Sequence, residues 1–413
     1  MSDRLKFFRR LMSAFEGTSN PQRAVERGFY VNLPNNPVGV ITGKIALRPS
    51  SVHLLFGGIG SGKTTQLLLT QQALNELEDI KAIYVDVSLV TDISDLQSGA
   101  LIVIAGLELI TILGDIEESK LKSSKKIIEN AAYGYSETKT LPSLNESLNA
   151  SSLAILQAIS SSPRKIVTNH KGLLSTEKQE NKDLVLQAFS NLCKAVQEKL
   201  GREIIFLFDG LDRLSDSQIF IDSALNDIVE IKNAGIGSVL VGSVVTIYKK
   251  RENITSFDSS SYYLSYLDVF ESVEVQDFFA DVIKVRDVEN LINPDVRQFL
   301  TFKSGGVLRD LMSLSQASIE EAYMDGSDKI TEKHANQAAL SLARSKIIGL
   351  TESNVNILRQ VLTGENFFPR TSEDFELLLT GHILEYRHPR QRFVVHPILA
   401  PIIENMVASV ANG

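Results

Sequence analysis

The stretch FGGIGSGKTT, residues 56–65, decides the fold. From Gly57 to Thr64 it fits the spacing G-x-x-x-x-G-K-[ST]. The apolar run Val52-His53-Leu54-Leu55-Phe56 before it reads as a short buried strand, and Thr64 to Leu69 after it reads as the opening of a helix. A strand, a glycine loop and a helix in that order is the context this motif requires. Glycines let consecutive backbone N–H groups curl inward towards phosphate oxygens. The helix that follows adds the positive end of its dipole. An ordinary glycine turn before a helix would not need the lysine and threonine at these positions.

The chemistry assigns Gly57, Gly58, Ile59, Gly60, Ser61, Gly62, Lys63, Thr64 and Thr65 to the phosphates of a nucleotide, read here as ATP. Lys63 reaches the β- and γ-phosphates, and the Thr64 hydroxyl takes a coordination position on Mg²⁺. A second half of the site lies in EIIFLFDGLDRL, residues 203–214. Five apolar residues lead straight into Asp209, which marks a strand buried on both faces. At that strand end the Asp209 carboxylate holds the metal directly or through a water, whereas a plain turn residue would be the structural alternative. Asp212 has the reach to orient or deprotonate a water facing the γ-phosphate, with an N-cap or an ion pair to Arg213 as its alternative. Asp209 and Asp212 are thus the expected catalytic pair. KAIYVDVS at 81–88 and GSVLVGSVV at 237–245 read as further strands. The alternation of strands and helices predicts an α/β fold, a three-layer P-loop core around a parallel sheet.

Composition sets the class. The 413 residues are 43% hydrophobic and 22% charged, as in an ordinary globular chain. One cysteine, Cys193, excludes an intramolecular disulfide and suits a reducing cytoplasm. A net charge of −8 argues against a large nucleic-acid surface. ALIVIAGLELITILG, from Ala100 to Gly114, is shorter than the ~20 residues a membrane span needs and carries Glu108, so a buried helix is expected and no membrane association. The N-terminal MSDRLKFFRRLMSAFEG has too short an apolar run for a signal peptide. It reads as an amphipathic helix docked on the body, with a surface-binding arm as the alternative.

The chain divides into an N-terminal helical arm at 1–34, an ATPase core at 35–270, a helical lid at 271–347 and a winged-helix-like α+β domain at 348–413. Residues 115–181, rich in Ser, Lys, Asn and Glu, read as a polar insertion, partly helical and partly mobile. Asp183–Leu200 then has the spacing of an amphipathic helix, with Cys193 as packing.

GGIGSGKT followed by IIFLFDGLDRL resembles the STAND branch of P-loop ATPases, and the D-x-L-D-R-L form is similar to KAP-type members. The sequence departs from most AAA+ proteins, which place Glu directly after the metal-binding Asp; here that residue is Gly210. It also lacks the membrane spans that many KAP proteins carry between the two motifs. The resemblance implies slow, Mg²⁺-dependent ATP hydrolysis in a molecular switch acting on a partner effector or on assembly, as a homo-oligomer or with another protein, in bacterial defence or signalling. It further implies that Ser243, with Thr246 near the same strand end, senses the γ-phosphate, and that Arg309 in KSGGVLRDLMSLSQAS (303–318) is a lid arginine reading the nucleotide. A strand-end hydroxyl and a solvated helix charge are the ordinary alternatives.

In the last segment two helices precede HILEYRHPRQRFVVHPIL, which reads as two strands around a basic tip. Arg387, Arg390 and Arg392 cluster there with His388, as DNA binding would require. Against it, the helix that would enter the groove carries Glu373, Asp374 and Glu376, and lacks the side chains that read base edges. A structural or autoinhibitory module is therefore expected. The rivals to the switch are a DNA-binding adaptor ATPase and a nucleotide-binding scaffold that does not hydrolyse.

Overall fold

The uninterrupted apolar runs become the inner strands of one sheet. The structure, a computed structural model, describes residues 3–16, 21–140, 165–171, 179–214, 216–364 and 366–411. Its strands among these residues are, in chain order, β1 Val52–Gly57, β2 Ile80–Asp86, β3 Gly134–Thr140, β4 Lys165–Lys171, β5 Glu203–Asp209, β6 Gly237–Ser243, β7 Ser261–Leu264, β8 Ile383–Tyr386 and β9 Arg392–Val395. Five of them form a parallel sheet in the order β2-β5-β6-β1-β7. Every residue of β1 and β6 is buried, and every residue of β5 after Glu203, as parallel strands covered on both faces must be. This is the expected fold class: a three-layer α/β P-loop core, followed by helices and a small α+β segment.

Register brings the chemistry to one edge. The pairing of β1 with β6 sets Gly57 beside Ser243, and that of β2 with β5 sets Asp86 beside Asp209. Ligands of open parallel sheets bind at this carboxyl edge. One boundary differs from expectation. The run at 237–245 stops being a strand at Ser243, and Val244–Lys249 is helical. The Ser243 hydroxyl accepts the Val245 N–H at 3.2 Å, an N-cap that outweighs the β preference of the two valines.

The chain forms two compact units, one of Met1–Asp95, Arg202–Ile221 and Gly235–Gly413, the other of Leu96–Gly201 and Asp222–Ala234. In the second unit the apolar helix Ala100–Leu113 is largely buried, as expected, and packs with helices Ser119–Tyr133, Gln179–Leu200 and Asn226–Asn233. The Asp227 carboxylate accepts the Gly99 and Leu101 N–H groups at 2.6 and 3.0 Å, supplying the cap that Gly99 cannot. Within 115–181 the described parts are the helix Ser119–Tyr133, the hairpin β3–β4 and the start of Gln179–Leu200; the rest of that segment lies outside the described residues. The hairpin was not expected, because its strands are too polar to show a buried face.

The first unit holds one core that runs from the N-terminal helix through the sheet to the C-terminal elements. The helix Asp3–Phe15 buries Phe8, Leu11 and Phe15, each contributing roughly 1.5–3 kcal/mol by removal from water. Arg4 Nη2 donates to the carbonyls of Ala322, Tyr323 and Ser327 at 3.1, 3.1 and 2.7 Å, so it caps the end of helix Leu308–Met324. Its guanidinium also lies 4.8 Å from the Phe8 ring centre and 4.7 Å from that of Tyr323. Arg4→Ala is expected to destabilise this unit by about 1–2 kcal/mol, read as a lower thermal midpoint with unchanged helix content. Among the described residues no helix is long and apolar enough to cross a membrane.

Candidate functional site

The glycine loop adopts backbone angles that only glycine takes freely, with φ of 85° at Gly60 and 99° at Gly62. Gly62 is the N-cap of helix Lys63–Asn75 and has no side chain to offer, so the first-turn N–H groups are left for an anion. Lys63, 3% exposed, is held from three sides. Its ammonium donates to the Gly57 and Gly58 carbonyls at 3.1 and 2.7 Å and pairs with Asp212 Oδ2 at 2.8 Å. Burial would raise the Asp212 carboxyl, but Lys63, with Arg213 and Arg309, outweighs it and holds the group below the usual carboxylate range.

Asp209 is also buried. Its Oδ1 accepts the Gly210 N–H at 2.8 Å, its Oδ2 accepts the Tyr84 hydroxyl at 2.9 Å, and Thr64 hydrogen-bonds to it as well. Burial raises its carboxyl above the usual range; the Thr64 bond opposes this and Asp212 adds to it. A hydroxyl and a carboxylate, both hard oxygen donors, fit a Mg²⁺ that takes its other ligands from phosphate and water.

A cavity of about 440 Å³ opens over the loop. Its lining includes Gly60, Gly62, Lys63, Thr64 and Thr65 from the loop and the helix it opens, Asp86, Asp212 and Arg213 from the segments at the ends of β2 and β5, and Leu308, Arg309 and Met312 from the helix Leu308–Met324. Phe29, Tyr30, Val31, Val282 and Arg286 also line it. Arg309 thus faces the loop, and its N–H lies 3.4 Å from the Gly60 carbonyl. Ile59 offers its carbonyl to the Tyr266 hydroxyl at 3.0 Å, and Ser61 Oγ is buried with no hydrogen-bond partner among the described residues. Ser243 is not brought to the cavity: its hydroxyl caps the following helix, where Thr246 is buried. Sequence reasoning missed Tyr84 and Asp86, which sat unremarked inside a strand pattern. It also missed Phe29 and Arg286 in the cavity lining, where the Arg286 guanidinium lies 5.4 Å from the Phe29 ring centre and burial pushes it down to about 10.

The basic tip is not a free cationic patch. Arg387 donates to Glu385 at 2.8 Å and stacks 3.6 Å over the Tyr263 ring. Glu385 is 2% exposed and also accepts the Tyr248 and Tyr263 hydroxyls at 2.7 and 2.6 Å. Arg390 forks onto Glu271, with a shortest contact of 2.6 Å, and Arg392 grips Asp268 at 2.7 and 2.8 Å. Asp374, expected to repel phosphates, is buried and closes a capping box with Thr371, accepting the Arg370 and Thr371 N–H groups at 2.9 and 2.8 Å.

No family model matches the chain, and no curated protein matches it in sequence. Solved structures similar in layout include Cdc6p from Pyrobaculum aerophilum, at 13% identity and a TM-score of 0.43, covering 91% of this chain and 96% of that one. A Walker-type ATPase of Pyrococcus abyssi has 15% identity and a TM-score of 0.48, covering 90% and 96%. The RuvB Holliday junction branch migration motor of Thermotoga maritima has 13% identity and a TM-score of 0.36, covering 89% and 94%. Similarity at this level concerns chain layout and says nothing about individual side chains. The fold is a three-layer α/β fold of the P-loop NTPase kind. The narrower likeness to STAND and KAP-type proteins rests on the two sequence motifs alone.

Proposed function

We propose that the chain is a nucleotide switch that binds ATP with Mg²⁺, hydrolyses it slowly and so controls a partner protein or its own assembly. The observation that carries this proposal is the direct linkage of the phosphate loop to the lid and, through it, to the C-terminal elements. From the lid the Arg309 N–H reaches the Gly60 carbonyl, from the end of the core segment the Tyr266 hydroxyl reaches the Ile59 carbonyl, and the Tyr386 hydroxyl reaches the carbonyl of Gly305, just before the lid helix, at 2.7 Å. A γ-phosphate that draws Lys63 away from Asp212 acts on the same loop, so ATP and ADP favour different arrangements of these contacts. In this proposal Lys63 and the N–H groups from Gly60 to Thr65 bind phosphates, and Arg309 pairs with the γ-phosphate. Phe29, Tyr30, Val31 and Met312 receive the base. Thr64 and Asp209 hold Mg²⁺, which when bound neutralises phosphate charge. A role in bacterial defence or signalling is supported by the motif resemblance only.

The test is titration of a fluorescent ATP analogue with and without Mg²⁺. Wild type binds more tightly with the metal. Asp209→Asn keeps the metal-free affinity and loses the gain from Mg²⁺, by roughly the 10- to 100-fold that a lost metal partner costs. Equal Mg²⁺ dependence in both proteins removes Asp209 from the metal site. A wild-type protein that binds no nucleotide ends the proposal.

A further inference from the structure

The geometry points to Asp86, at the carboxyl end of β2, as the general base for the attacking water, an inference that rests on the hydrolysis proposed above. Parallel pairing sets Asp86 beside Asp209, and its side chain borders the cavity with Lys63 and Thr64. The carboxylate is oriented. Its Oδ1 accepts the Ser88 N–H at 3.1 Å and the Ser88 hydroxyl at 2.6 Å, while Oδ2 has no hydrogen-bond partner among the described residues.

Two further observations single it out. Gly210 follows Asp209 with a φ of 88°, and a Cβ placed there would lie 2.6 Å from Asp86 Oδ1 and 3.0 Å from Ser88. Position 210 and the Asp86 carboxylate therefore compete for one space. A glutamate directly after Asp209 is incompatible with Asp86 where it stands, so the carboxylate comes from the neighbouring strand instead. The other acid at hand, Asp212, has its Oδ2 2.8 Å from the Lys63 ammonium. Even where a γ-phosphate draws Lys63 away, Arg213 and Arg309 still act on Asp212 and weaken it as a base, whereas no cation pairs with Asp86 among the described residues.

In the step assigned to Asp86, the water oxygen forms a bond to the γ-phosphorus. The bond from that phosphorus to the bridging oxygen breaks, leaving its electron pair on ADP. The water proton passes to Asp86 and is then released to phosphate or solvent.

Asp86→Asn keeps the shape and the Ser88 contacts but cannot accept the proton. Single-turnover conversion of ATP to ADP should fall at least about 100-fold, within the range that general bases contribute. Affinity for the fluorescent ATP analogue with Mg²⁺ should stay within about threefold of wild type, and nucleotide extracted from the variant after incubation should remain ATP. Asp86→Ser takes its place should the amide not fold. Turnover within about threefold of wild type overturns the assignment, and so does a parallel loss of binding and turnover, which would make Asp86 a binding residue. A wild-type protein that binds ATP yet never forms ADP overturns the hydrolytic switch and the base together. Wild-type turnover with an unaffected variant removes the base alone.

Discussion

Lys63→Ala should lower ATP affinity by roughly 100-fold, since a charge-assisted contact to phosphate is worth up to about 3 kcal/mol. The same substitution acts on the nucleotide-free chain. Lys63 neutralises Asp212 across 2.8 Å, with side-chain exposures of 3% and 15%. Removing the cation strands a carboxylate that burial disfavours, at a cost of about 3 kcal/mol. The two effects separate in a double mutant. Lys63→Ala with Asp212→Asn recovers stability, because no unpaired charge remains, but does not recover ATP affinity. Thermal melting and nucleotide titration of the four proteins check both. Near-wild-type ATP affinity in a folded Lys63→Ala protein would sink the cradle assignment.

Arg392→Ala should cost about 3 kcal/mol of stability, while Arg390→Ala should leave the melting point close to wild type. The two arginines differ in what they leave behind. The Asp268 side chain is 0% exposed, and without Arg392 it keeps, among the described residues, the Phe270 and Glu271 N–H groups at 3.0 and 3.2 Å. The guanidinium also sits 4.8 Å from the Tyr386 ring centre, so packing is lost with the charge. Arg390 is 72% exposed and its pair with Glu271 stays in water. Phosphate-binding arginines would behave differently. Each substitution would then lower affinity for duplex DNA and reduce the salt slope by about one unit, whatever its effect on melting. Submicromolar duplex binding at ~150 mM salt that falls in both variants would replace the switch with the DNA-adaptor alternative.

Much of this was written locally in the chain. The glycine spacing of 57–64, the two-faced apolar runs of β5 and β6 and the apolar helix at Ala100–Leu113 each depend on neighbours within a turn or a strand. Periodicity and turn chemistry report such features directly. Partners distant in sequence are another matter. Tyr84 and Asp86 meet Asp209 only because β2 pairs with β5, more than a hundred residues away. Asp212, read as a water-binding acid or a partner of Arg213, stands against Lys63, and Ser243, read as a sensor, spends its hydroxyl on a helix cap. The basic tip at Arg387–Arg392 looked free in one dimension because its acids lie elsewhere: Glu271 and Asp268 far back in the chain, Glu385 turned inward on β8. A charge's identity is local, but its partner and its burial are set by which strands and helices the topology lays side by side.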